Sequence, residues 1–83
     1  MSDSFDNARE RIIRRTRQQI AECDQAVRDV EYWNKINPKE TPFDPAPFRA
    51  MADLHGKILQ AALERRPIDP EWTKQLIAIA EAE

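Results

Sequence analysis

Apolar and small positions recur along the first third of the chain with a helical period. Ile13, Thr16, Ile20, Cys23, Val27 and Val30 follow a 3-4-3-4-3 spacing, the a/d stripe of a helix packed against another helix. Ile12, Ala26 and Trp33 flank that stripe, and Phe5, Ala8 and Ile12 extend it N-terminally in a shifted phase. Prolines punctuate the rest, at positions 38, 42, 45, 47, 67 and 70. Each lacks an N–H and clashes with a preceding helical turn, so the chain divides into segments 1–37, 48–66 and 71–83. All three segments are rich in helix formers, and none alternates as a strand does. The pattern predicts an all-α, three-helix single domain over 1–83. A long amphipathic helix over about 4–35 packs against two shorter ones, over about 45–66 and 70–81, with a proline-rich connection at 37–47.

The punctuation sharpens these limits. Asp3 and Ser4 are candidate N-caps of the first helix, and Asn34, Asn37 and Pro38 are stop signals. Asp44-Pro45 and Asp69-Pro70 each pair a capping carboxylate with proline at the first helical position. The second helix carries a broad stripe: Phe48, Met51, Leu54, Ile58, Ala61 and Ala62, with Leu59 and Leu63 beside it. Its end is expected at Arg65-Arg66, where cations suit the helix dipole. Trp72, Leu76, Ile79 and Ala80 form the face of the third helix, with Trp72 positioned to staple it onto the first. Glu81-Ala82-Glu83 is expected to fray, since acidic residues oppose the dipole there.

A helix of about thirty residues is about 45 Å long, whereas a compact globule of this size has a radius of gyration near 12 Å. The monomer is therefore expected to be elongated and to leave apolar area uncovered. Self-association through Ile13, Ile20, Val27 and Val30 covers it, which predicts a coiled-coil-like homodimer. The other cover is a different protein.

Charge adds one feature. The chain is nearly balanced at −2, yet Arg9-Glu10-Arg11-Ile12-Ile13-Arg14-Arg15-Thr16-Arg17 holds five arginines and one glutamate, a local +4. Arg11, Arg14 and Arg15 share one helix face and suit an acidic surface or phosphates. In the bland alternative this face is solvated and locally paired, for instance Glu10 with Arg14. Tyr32 falls on the polar side of the pattern and is a candidate partner contact. The stiff run from Asn37 to Asp44 is a secondary one.

Catalytic chemistry finds little footing. One cysteine, Cys23, excludes a disulfide framework and a multi-cysteine zinc site, and one histidine, His55, makes a histidine metal site untenable. No cofactor or metal is expected. Gly56, inside the second helix, suggests close approach by a neighbour, since glycine there costs about 1 kcal/mol. The lack of a long apolar run and the polar start argue against a membrane span or secretory signal, which leaves a cytoplasmic expectation. A small helical dimer with a long first helix resembles the chorismate mutases, and Arg11, Arg28 and Lys39 carry the comparison. That resemblance implies a dicarboxylate pocket. The second helix departs from it, with Met51 and Ala52 where an Arg and a Glu belong. The expected function is thus non-catalytic: a protein-binding regulator, adaptor or inhibitor, of a kind also found on mobile elements. A dimeric nucleic-acid-binding regulator using the arginine face is the alternative.

Overall fold

A proline-free run of strong helix formers has nothing to stop it, and the first helix uses nearly all of its segment. In a computed structural model describing residues 2–82, with side chains from Ser4 to Ala82, α1 spans Ser2–Ile36. Thirty-five residues make about 52 Å of helix. The helix already runs at Ser2, so Asp3 and Ser4 lie inside its first turn and do not cap it as expected; the Asp3 side chain is outside the described residues. At the other end the backbone N–H and the Nδ2 of Asn37 each donate to the Trp33 carbonyl at 3.0 Å, and Pro38 prevents continuation.

Helix α2 spans Ala46–Leu63. Asp44 Oδ1 accepts the Ala46 N–H at 2.9 Å, and Pro45 has helical dihedrals of −79° and −6°. Its C-terminus falls short of the expected Arg65-Arg66. Arg65 turns left-handed at φ 58°, the Arg66 N–H reaches back to the Ala61 carbonyl at 2.8 Å, and the Arg65 N–H reaches the Ala62 carbonyl at 3.3 Å. This is a Schellman closure built on arginine. Pro67 is the cause, since it disfavours helical dihedrals at the residue before it. Helix α3 spans Pro70–Glu81, and Asp69 accepts from the Glu71 N–H at 2.9 Å. It stays regular through Glu81, with the Ala82 N–H on the Ala78 carbonyl at 3.1 Å. The helix ends at Glu81 and Ala82 is its cap; Glu83 is outside the described residues.

Helices α1 and α2 form an antiparallel hairpin fastened at both ends. At one end Asn34 clamps the connection: its Nδ2 donates to the Phe43 carbonyl at 2.9 Å and its Oδ1 accepts the Phe43 N–H at 3.0 Å. The Trp33 and Phe43 rings meet there, centroids 4.9 Å apart, beside an exposed Arg49–Glu31 ion pair. At the other end Arg9 meets the C-terminus of α2. Among the described residues helix α3 packs along α2 and makes no close backbone approach to α1. The reason is α2's broad apolar stripe, which serves both neighbours.

The core is thin. Thr16, Cys23, Leu54, His55, Ala61 and Ala62 are buried, and among the described residues no large side chain is fully enclosed. Ile13, Ile20, Val27 and Val30 are half-buried within the single chain, on a helix whose close neighbour among the described residues is α2. Gly56 departs from expectation: a Cβ placed on it meets nothing within 4 Å, so no neighbour crowds it. The molecule measures 58 × 20 × 17 Å with a radius of gyration of 15.7 Å, the elongated shape expected from the first helix.

Candidate functional site

The heptad phase that builds the core also carries Arg9 toward α2, because Arg9 lies seven residues before Thr16. Its Nε donates to the Ala62 carbonyl at 2.8 Å and its Nη2 to the Leu63 carbonyl at 3.2 Å. These are carbonyls of the last turn, where the regular i+4 donors run out; Ala62 shares its oxygen with the Arg65 N–H of the closure, and Arg9 adds a charged donor to it and to Leu63. A guanidinium supplies both the hydrogen bonds and a charge opposed to the dipole. Arg9 is therefore structural; the sequence pattern sets Arg11, Arg14 and Arg15 apart as one face and gives Arg9 no role of its own. The heptad phase was the signal that marks it.

On either side of Arg9 the surface opens into a cleft. One, of about 370 Å³, lies between the start of α1 and the α2–α3 connection. Its floor is apolar, formed by Phe5, Ala8, Ile12, Ala62, Pro67 and Ile68, and Arg9, Arg65 and Arg66 edge it. Phe5 is 75% exposed and Ile12 39%, a high exposure for large apolar side chains that stand together. The second cleft, of about 430 Å³, is lined by Arg9, Glu10, Ile13, Arg14, Arg17 and Leu63. Arg66 pairs with Glu64; the hydrogen bonds to Gln60 and Arg66 hold the Glu64 carboxyl below its usual range.

The residues expected to bind a partner do not form one site. Arg14 lines the second cleft. Arg11 and Arg15 are exposed and line neither. Tyr32, 65% exposed, lies eighteen residues beyond Arg14, about 27 Å along the axis; Ile36, one turn further, is also exposed. The Glu10–Arg14 pair is not formed: the ion pairs among the described residues are Arg49–Glu31 and Arg66–Glu64. Arg11 and Arg28 are about 26 Å apart along α1 and exposed, as is Lys39 in the connection, so the three do not converge on a dicarboxylate-sized pocket.

Two reactive groups face inward. Cys23 is buried and free; burial, then the neighbouring Asp24 and Glu22, push its thiol pKa up, so it stays protonated and inert. Burial pushes the His55 imidazole down, keeping it neutral beside Phe48 and Met51, with Glu22 on the same shallow cleft. Among the described residues no three His, Cys, Asp or Glu side chains are grouped to hold a metal ion, and no helix is long and apolar enough to cross a membrane. Set against known proteins, the chain matches no family, no curated protein and no solved structure.

Proposed function

We propose that this chain is a non-catalytic helical interaction protein, a regulator, adaptor or inhibitor that acts in the cytoplasm by binding another protein. One observation carries the reading. The accessible surface is 6503 Å², against about 5,100 Å² for a compact monomer of 9.7 kDa. The excess of roughly 1,400 Å² exceeds the approximately 800 Å² that one partner contributes to a standard interface. Exposed large apolar side chains support it: Phe5, Ile12 and Leu63 at one end, Tyr32, Ile36 and Phe43 at the other, and Ile77 on α3.

The homodimer through Ile13, Ile20, Val27 and Val30 belongs to the same proposal, with less surface to offer, since the chain half-buries each of them. A nucleic-acid-binding regulator is favoured by one observation only: Arg11, Arg14, Arg15 and Arg17 are exposed, and none has an ion-pair partner among the described residues. The test is purification of the tagged protein from its own cells, with and without nuclease. A stoichiometric protein that survives nuclease supports the proposal. Nucleic acid lost at high salt favours the second reading. A clean monomer that retains nothing refutes both.

A further inference from the structure

We propose that the apolar cleft at the Arg9 end of the hairpin receives an acidic amphipathic helix from a partner protein. This rests on the interaction reading above and names its site and its partner's chemistry. The cleft floor is a stripe of one helix, Phe5, Ala8 and Ile12, facing Pro67 and Ile68 across an open trough. Such a trough accepts anchors spaced three and four residues apart. An extended peptide gains little there, because it needs a sheet edge for its main-chain bonds, and the described residues contain no strand. A helix brings its own backbone bonds already satisfied.

Charge chooses the partner's sign. The two clefts that flank Arg9 are lined by Arg9, Arg14, Arg17, Arg65 and Arg66 against Glu10, with Glu64 paired to Arg66 beside them, which leaves a local excess of positive charge although the whole chain is −2. Cations are thus concentrated around exposed apolar surface. A second copy presenting the same end in a two-fold contact brings arginines against arginines and is repelled. A helix with apolar anchors and flanking Asp or Glu is attracted, and its carboxylates find guanidinium forks on both sides.

The test uses the full-length, isotope-labelled protein and two synthetic helical peptides of about 14 residues. Both carry the same leucine stripe; one has glutamate on its polar face, the other lysine. The glutamate peptide is expected to shift the amide resonances of Phe5, Ala8, Ile12 and Ile68. It should bind at least about tenfold more tightly than the lysine peptide at low salt, with the difference shrinking as salt screens it. The double variant Arg65→Glu/Arg66→Glu should reverse the preference, and Arg14→Glu/Arg17→Glu should weaken it without touching the α2 terminus. Equal binding, preference for lysine, shifts confined to the Tyr32 end, or no binding up to about 1 mM each overturn the proposal. A dimer of the pure protein that Phe5→Ser dissolves also overturns it. In each of these cases a nuclease-resistant partner captured from cells leaves the broader interaction reading standing.

Discussion

Replacing Gly56 with alanine tests the packing directly. A glycine inside a helix costs about 0.8–1.0 kcal/mol relative to alanine, largely through the extra freedom it gives the unfolded chain. Such a cost is usually retained because a neighbour leaves no room for a side chain. Here a Cβ meets nothing within 4 Å, and Gly56 sits well inside Ala46–Leu63, so the full propensity gain should appear without a clash to offset it. Gly56→Ala is expected to stabilise the free protein by about 1 kcal/mol, which raises Tm by roughly 4–8 °C in a domain of this size. Helix melting by circular dichroism reads this, run at several protein concentrations so that association is separated from folding. Urea titration should give a higher midpoint with an unchanged slope. An unchanged or lowered Tm at every concentration refutes the packing argument. A gain at low concentration that disappears at high concentration means instead that a second copy approaches the backbone at Gly56.

Three further outcomes follow from individual contacts. Arg9→Ala should cost about 2 kcal/mol, since it removes two charge-assisted bonds to the carbonyls at the end of α2; Arg9→Lys should recover less than half, as an ammonium cannot reproduce the fork, and equal melting of the three proteins refutes the cap. Arg65→Gly should raise the unfolding free energy read by urea titration by about 0.5 kcal/mol, because the left-handed conformation at φ 58° strains a side chain by about 1–2 kcal/mol, partly offset by glycine's unfolded-state entropy. His55 has a pKa held below the ordinary imidazole value by burial, so the unfolded chain takes up its proton first; stability is full above about pH 6.5 and falls as pH drops through the folded value. His55→Gln should abolish that loss while leaving the carboxylate-driven loss at lower pH, and identical profiles refute the assignment.

The helices were legible because proline and the heptad spacing act locally. A missing N–H at Pro38 or Pro70 acts on its own turn whatever the rest of the chain does. The Asp69-Pro70 start was recovered for that reason, with Asp69 accepting the Glu71 N–H; α2 opens one residue later than expected, at Ala46, with Pro45 rather than Asp44 at its cap position, although Asp44 still accepts the Ala46 N–H. The misplaced features depend on something further away. The end of α2 needed the left-handed turn at Arg65, a conformation that composition gave no reason to expect from arginine. Asn34 read as a stop signal, yet it lies within α1 and clamps the backbone of Phe43, nine residues on. That the backbone of α3 lies along α2 rather than α1 depends on the width of α2's stripe, not on α3's own pattern.

The candidate site shows the same division more sharply. Arg9, Arg11, Arg14, Arg15 and Arg17 look alike as a run of charge, and only the phase of the helix separates them. The phase directs Arg9 into the hairpin, where fixed carbonyls take up its donors, and leaves Arg14 and Arg17 along a cleft with donors free. Arg65 and Arg66 then arrive from more than fifty residues away, brought to the opposite edge of the neighbouring apolar cleft by the closure of α2. A cation that completes a helix end has little left to offer a ligand, because its hydrogen bonds are fixed in the folded state. A cation beside exposed apolar surface has both its charge and its donors in hand. For the proposed acidic partner the cations with donors in hand are therefore Arg14 and Arg17 on one side and Arg65 on the other, whereas Arg66 must first leave Glu64.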